Sequence, residues 1–227
     1  MTVRRIVDDE MGPFVFGFYT RIYTTMEIPS WRELETLPPE EQIRIVCGRY
    51  KLWILDHAQK MVEKENTGFA ILALTNSYFD MVSQLQGYVD KRIDATLDEL
   101  DEFDIEKEDN RDRVKRGLRA VFDELHDDDT LAEAIVYHVR HPMAHMGLTK
   151  DRIVLQDFRA FDDKSLAEEP FVEITIRGNE LIFINPRIWV ARIVRHFDDF
   201  QNRLLDFKDP DHKDLRQKFL FRVRHSM

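Results

Sequence analysis

The side chains best suited to chemistry in this sequence lie in one eleven-residue stretch, YHVRHPMAHMG at positions 137–147. It contains three histidines and one arginine. Histidine gains and loses a proton near neutral pH, and the planar guanidinium of arginine binds phosphate through two parallel hydrogen bonds. Arg140 and His145 together therefore suit the chemistry of phosphodiesters.

Pro142 decides whether these two side chains can meet. On an unbroken α-helix, Arg140 and His145 would lie about 140° apart around the helix axis. Proline has no amide hydrogen, and it disfavours helical backbone angles at the residue before it, which here is His141. We therefore expect the helix to kink or restart at this point, and a kink can bring both side chains toward one cleft.

This arrangement resembles the R-x(4–6)-H motif of the HEPN superfamily (higher eukaryotes and prokaryotes nucleotide-binding). Arg140 and His145 match its two defining positions, and His141 occupies the polar position after the arginine. Gly147 is similar to the small residue that commonly follows the histidine. The resemblance extends loosely over residues 38–206, with the motif placed after three predicted helices and before a predicted pair of strands.

The resemblance implies metal-independent cleavage of RNA, often by a homodimer that brings two motifs together, and frequently in toxin–antitoxin or defence systems. By position, Arg140 would steady the scissile phosphate. His145 would exchange a proton with the ribose 2′-hydroxyl or the leaving oxygen, and His141 would orient the other two. Proton transfer of this kind contributes about 10²–10⁴ in rate.

A silent role for the same residues stays open. Many HEPN domains are inactive, which implies the alternative of a helical interaction module that partners an antitoxin or a nucleotidyltransferase. Arg140 and His145 can also be structural, either capping helix carbonyls or pairing with the acids of residues 97–109. The net charge of −10 favours these alternatives, because it is the wrong sign for a broad RNA-binding surface.

Metal binding is the third interpretation of the motif. His138, His141 and His145 fall at i, i+3 and i+7, which on a continuous helix would form one stripe able to bind zinc or iron. Pro142 interrupts that stripe, no HExxH or Glu-x-x-His motif supplies further ligands, and Cys47 is the single cysteine. We therefore predict no bound metal and no other cofactor.

Polar residues interrupt an otherwise apolar helix earlier in the chain, at Asn76, Ser77 and Asp80. A charged side chain in such a place needs a partner, because burying it alone is costly. We predict that Asp80 can face Arg140, and that Asn76, Asp80 and His138 contribute to binding. The alternative is that Asn76, Ser77 and Asp80 form the solvent-exposed edge of this helix.

The sequence as a whole predicts a mainly α fold, a helical bundle with a small antiparallel β-sheet inserted before the C-terminal helices. Apolar residues at three- and four-residue spacing predict the helices. They are expected from 38 to about 64, after a cap at Asn66-Thr67, from about 110 to 125, from about 129, from Pro186, and from about Asp211.

A change of period marks the sheet. After Gly147 the apolar residues alternate at two, as in RIVLQDF and FVEITIRGNELIFIN, and Gly178-Asn179 is a two-residue hairpin signal. We predict one domain over residues 1–227. Its parts are an N-terminal extension at 1–37, a helical core at 38–146, the sheet at 150–185 and the C-terminal helices at 186–227.

Composition limits the class of protein. The 43% apolar fraction of the 227 residues is enough for a sizeable core, and we place Cys47 in it. A lone cysteine cannot form an internal disulfide, which fits a reducing compartment. No run of about 18 apolar residues and no signal-peptide core is present. We therefore expect a cytoplasmic protein that does not enter a membrane.

Overall fold

The computed structural model describes residues 31–87, 110–140, 152–157, 159 and 164–225. They belong to two compact units, one that contains the described residues 31–50 and 201–225 and one that contains those between 51 and 200. The prediction of a mainly α fold with a small sheet before the C-terminal helices is confirmed. No described helix is long and apolar enough to cross a membrane.

The described elements are numbered here in chain order. The helices are α1 (Trp31–Thr36), α2 (Pro39–Tyr50), α3 (Asp56–Val62), α4 (Gly68–Gly87), α5 (Asn110–Val121), α6 (Asp129–Ile135), α7 (Pro186–Leu205) and α8 (His212–His225). The strands are β1 (Ile153–Leu155), β2 (Phe171–Ile176) and β3 (Asn179–Ile184). π-Helices span Lys51–Leu55 and Val136–Arg140, and 3₁₀-helices span Asp123–Leu125 and Lys164–Glu168.

Helix α2 of the first unit begins as its sequence predicts. Pro39 occupies the first turn, where a missing amide hydrogen costs nothing, and Glu40 and Glu41 face the positive end of the helix dipole. The helix packs against α8. Their buried apolar side chains are Ile43, Val46, Cys47 and Tyr50 from α2 with Leu215, Phe219 and Val223 from α8.

The helix predicted from 38 to about 64 contains a turn that its apolar spacing does not indicate. Helices α2 and α3 are separated by the π-helix Lys51–Leu55, in which each backbone hydrogen bond spans one residue more than in an α-helix. His57 Nδ1 lies 2.9 Å from the carbonyl oxygen of Leu52. The ring of His57 thus hydrogen-bonds the backbone of the π-helix.

Helices α4 and α5 approach closely at a glycine in the second unit. A Cβ atom added at Gly117 would overlap the backbone carbonyl group of Phe79. Only a residue without a side chain therefore allows this distance between the two helices.

An aromatic cluster fills the core of the same unit around Trp189 of α7. Its ring centroid lies 5.2 Å from that of Phe79 and 4.9 Å from that of Phe122. The indole nitrogen of Trp189 donates to Thr75 Oγ1 on α4 at 2.9 Å. The buried polar groups of the cluster therefore stabilise the α4–α7 contact.

The sheet is mixed, with strand order β1-β3-β2. Strands β2 and β3 form the predicted antiparallel hairpin, while β1 pairs with β3 in parallel, which differs from the wholly antiparallel sheet that we expected. Ile176 pairs with Asn179, so the two-residue turn between the strands consists of Arg177 and Gly178. Both turn residues have positive φ angles. The expected turn at Gly178-Asn179 is therefore off by one residue.

Candidate functional site

The backbone of Arg140 lies at the last residue of the π-helix Val136–Arg140, which directly follows α6. Helix α6 itself begins with a cap, because Asp128 Oδ1 accepts a hydrogen bond from the amide of Leu131 at 2.8 Å. His141, His145 and the side chain of Arg140 lie outside the described residues. The described residues therefore include the helical backbone that leads into the motif, as far as Arg140.

Departure from α-helical geometry begins before the proline. We expected a kink or restart at Pro142, and the backbone already changes to π-helix at Val136. Proline has no amide hydrogen to donate to the carbonyl of His138, so an α-helical hydrogen-bond pattern could not continue through Pro142. π-Helical turns inside α-helices occur frequently at functional sites.

Tyr137 is an exposed aromatic residue of this π-helix. Its side chain is 42% exposed, and the guanidinium carbon of Arg111 lies 5.5 Å from the ring centroid. The ring of the half-buried His138 meets that of Tyr137 edge-on, with centroids 4.9 Å apart. Tyr137 and His138 therefore lie within one turn of the Arg140 backbone, and Arg111 of α5 borders the ring of Tyr137.

Ion pairs fix α6, and hence the π-helix, against α5. Lys115 Nζ lies 3.2 Å from Asp129 Oδ1 and 3.4 Å from Glu133 Oε2, and Arg111 binds Glu133 at 2.7 Å. Burial opposes the charge of Lys115, but hydrogen bonds and charge attraction from the two acids raise the pKa of its ammonium group. Hydrogen bonds from Lys115 and Arg119 hold the pKa of Asp129 below its ordinary value.

Asp80 has a partner that the sequence analysis did not consider. Its Oδ1 accepts a hydrogen bond from Arg113 Nε on α5 at 2.7 Å. Asn76, one turn earlier, is half-buried and Ser77 is exposed. The predicted contact between Asp80 and Arg140 involves a side chain outside the described set, so it stays a prediction.

A second polar pair continues the same contact between α4 and α5. Arg116 Nε donates to the buried Ser83 Oγ at 3.1 Å. Asp80 and Ser83 are three residues apart, and so are Arg113 and Arg116, so matching i, i+3 pairs face each other. This spacing is a signal that sequence reasoning could have used.

His196 is a histidine that the sequence analysis missed as a candidate. Its Nδ1 lies 2.7 Å from the hydroxyl oxygen of the fully buried Tyr78. A hydroxyl buried among core side chains offers no route for a substrate. We therefore assign the Tyr78–His196 pair to the stability of the α4–α7 contact.

Comparison with protein-family models, with characterised proteins and with solved structures finds no match to this chain. The resemblance to HEPN domains therefore depends on Arg140, His141 and His145 and on their place in the chain.

Proposed function

We propose that this protein is a HEPN-like, metal-independent endoribonuclease or RNA-binding protein that acts as a homodimer, in a toxin–antitoxin or defence system. The observation that carries the proposal is the π-helix that ends at Arg140, immediately before His141 and five residues before His145. A local change of helical register at the residues of a candidate motif is typical of a functional site.

The proposed reaction is an internal transfer at phosphorus. The ribose 2′-hydroxyl attacks the adjacent phosphate, the bond to the 5′-oxygen breaks, and the products end in a 2′,3′-cyclic phosphate and a 5′-hydroxyl. His145 carries a proton from the 2′-hydroxyl or to the leaving oxygen, and Arg140 stabilises the charge on the phosphate. Because one histidine serves only one of these transfers, the second copy in a dimer supplies the other.

An exposed ring supports RNA as the ligand. Tyr137 precedes Arg140 by three residues and is bordered by Arg111. Proteins bind single-stranded RNA by stacking its bases on aromatic side chains and on guanidinium groups. A base on Tyr137 would place its phosphate near the motif, which agrees with a site for single-stranded substrates.

Cleavage of an RNA pool in the presence of chelator tests the proposal. We expect wild type to cleave single-stranded RNA and to spare DNA. We expect Arg140→Ala and His145→Ala each to lower the rate by at least about 10²-fold at unchanged thermal stability. Equal activity in all three proteins would identify a contaminant.

Two matched variants serve as controls for the loss of a charge and of a ring. Arg44 is exposed and pairs with Glu40 one turn away, and His126 is exposed and caps its 3₁₀-helix through its backbone amide. Arg44→Ala and His126→Ala should therefore cleave RNA at the wild-type rate. A loss of activity in these controls as large as in the motif variants would contradict the assignment.

The dimer has its own measurement. Light scattering at micromolar concentration should report twice the chain mass of 27.1 kDa. An excess of His145→Ala mixed with wild type should lower the wild-type rate, because a mixed dimer keeps only one of the two histidines that the shared site requires. A single species at the chain mass would contradict the shared site.

The second candidate function is a catalytically silent interaction module that partners an antitoxin or a nucleotidyltransferase. The ion pairs of α5 favour it, because Arg111, Arg113 and Lys115 all bind carboxylates that compete with phosphate. Absence of cleavage by wild type, with and without added divalent metal, would select this module over the nuclease.

A further inference from the structure

Three potential metal ligands meet at the connection between α7 and α8, in the unit formed by the chain's ends. Asp206, Asp209 and His212 follow one another at three-residue spacing, and one ligand atom of each lies within 4.8 Å of the others. None of the three belongs to the motif or to the histidine stripe of residues 138–145. Their chemistry therefore requires a separate explanation.

His212 lies within ion-pair range of both carboxylates, at separations slightly longer than those between two ligands of one metal ion. His212 Nδ1 lies 3.8 Å from Asp206 Oδ2 and 3.6 Å from Asp209 Oδ2. Both distances exceed the range of about 2.7–3.2 Å for a direct N–H···O bond. Two ligands at about 2.1 Å from a tetrahedral metal ion lie roughly 3.4 Å apart. The ring nitrogen is also buried without a hydrogen-bond partner.

Backbone hydrogen bonds orient both carboxylates. Asp206 Oδ1 accepts from the amide of Lys208 at 3.1 Å, and Asp209 Oδ1 accepts from the amide of Asp211 at 2.9 Å. The second oxygen of each carboxylate is thereby directed toward His212. An ion at this position would meet ligands that the fold already holds in place.

Buried Arg216 of α8 fixes the same connection through its backbone. Its guanidinium donates to the carbonyl oxygens of Asp206 and Asp209. The positive charge of Arg216 offsets part of the charge of the two carboxylates. Its hydrogen bonds, on the other hand, hold both ligand-bearing residues at a defined separation.

We propose that Asp206 Oδ2, Asp209 Oδ2 and His212 Nδ1 bind one divalent first-row transition-metal ion, with water completing its coordination. A ring nitrogen with two carboxylates suits Zn²⁺, Mn²⁺ or Co²⁺, whereas Mg²⁺ and Ca²⁺ prefer oxygen ligands alone. The ion would link the end of α7 to the start of α8 and stabilise this connection. The proposal differs from our sequence prediction of no bound metal, which considered only the histidine stripe and Cys47.

Titration of the 227-residue chain without a tag tests the site, with Co²⁺ binding read by visible absorption and Zn²⁺ binding by calorimetry. We expect one ion per chain in wild type. Asp209→Asn should weaken binding at least about 10-fold because it replaces the ligand oxygen Oδ2, while its remaining Oδ1 still accepts from the amide of Asp211. Asp211→Asn makes the same chemical change two residues away, at an exposed carboxylate outside the proposed ligand set, and should bind metal as wild type does.

Thermal unfolding supplies a second readout. Zn²⁺ should raise the melting temperature of wild type and of Asp211→Asn but not of His212→Gln, since a ligand that binds only the folded state stabilises it. No binding by wild type at millimolar metal, or equal binding by Asp209→Asn and Asp211→Asn, would overturn the proposal. Loss of binding in His145→Ala alone would place the ion at the histidine stripe and overturn it as well.

Discussion

The core between α4 and α7 and the π-helix that ends at Arg140 differ in how their polar and aromatic side chains are used. In the core, side chains of α4 and α7 hydrogen-bond each other: the hydroxyl of Thr75 accepts from Trp189, and the hydroxyl oxygen of Tyr78 lies 2.7 Å from His196 Nδ1. At the π-helix that ends at Arg140, the side chain of Tyr137 is partly open to solvent. A buried polar group that loses its partner destabilises the protein, whereas an exposed ring can change with little cost. Variants of the core should thus change stability, and variants of the π-helix should change binding.

The largest effect is expected where α4 and α5 touch. Gly117→Ala adds a methyl group that overlaps the carbonyl group of Phe79, so the two helices must separate. We expect a loss of roughly 3 kcal/mol in the free energy of unfolding, measured in urea.

Gly48 gives the matched control for that substitution. It lies in α2, and a Cβ added there meets no atom within 4 Å. Gly48→Ala should therefore stabilise the protein by about 0.5–1 kcal/mol through its higher helix propensity. The same sign of change in both variants would contradict the close approach of α4 and α5.

A single hydroxyl in the core gives the next largest effect. Thr75→Val keeps the shape of the side chain but leaves the indole N–H of Trp189 without its acceptor. We expect a loss of about 1–3 kcal/mol in unfolding free energy. Thr175→Val, at an exposed position of β2, should change stability by less than about 0.5 kcal/mol, and an equal loss in the two would refute the role of the hydroxyl.

Tyr137 provides the converse test at the π-helix. Tyr137→Ala should change the free energy of unfolding by less than the Thr75 variant does. If the proposed function is right, it should weaken binding of single-stranded RNA by about 1 kcal/mol or more, measured by fluorescence anisotropy. If Tyr137→Ala instead lowers the free energy of unfolding as much as Thr75→Val and leaves RNA affinity unchanged, the role of Tyr137 is structural, like that of the core side chains.

The smallest expected effect is the change with pH, near neutrality, in what Cys47 contributes to the free energy of unfolding. Burial raises the pKa of its thiol to about 12, so the group stays protonated in the folded protein. Its contribution to stability is constant below the unfolded-state pKa of about 8.5 and is lost as pH rises toward 12. The difference in unfolding free energy between wild type and Cys47→Ala should thus be flat from pH 6 to pH 8 and fall only above that range.

The order of helices and strands could be predicted because it depends on local patterns. Pro186 opens α7 as expected, since proline fits a first turn, and Gly178 marks the hairpin. Thr67 directly precedes α4 as predicted, and its carbonyl oxygen accepts from the amide of Ile71, but its side chain bonds the preceding helix. Its hydroxyl donates to the carbonyls of Met61 and Lys64 at the end of α3, a contact that sequence spacing alone does not distinguish from a cap of α4.

The contacts between elements could not be predicted with the same success. Asp80 was recognised as a residue that needs a partner, but the choice of Arg113 depends on how α4 and α5 pack. The π-helices also escaped prediction, because one additional residue in a turn leaves the apolar spacing almost unchanged. The candidate site at Arg140 was therefore found from residue types, and its helical geometry only from the structure.

The parallel pairing of β1 with β3 has a consequence for the order in which the sheet forms. Strands β2 and β3 are joined by a two-residue turn, whereas β1 reaches β3 only across the whole of β2 and the segment before it. Closing that longer loop costs more chain entropy than closing the hairpin. We therefore expect the hairpin to form first. In native-state hydrogen exchange, the amide hydrogens that bridge β1 and β3, those of Gln156 and Ile182, should open at lower free energy than those within the hairpin.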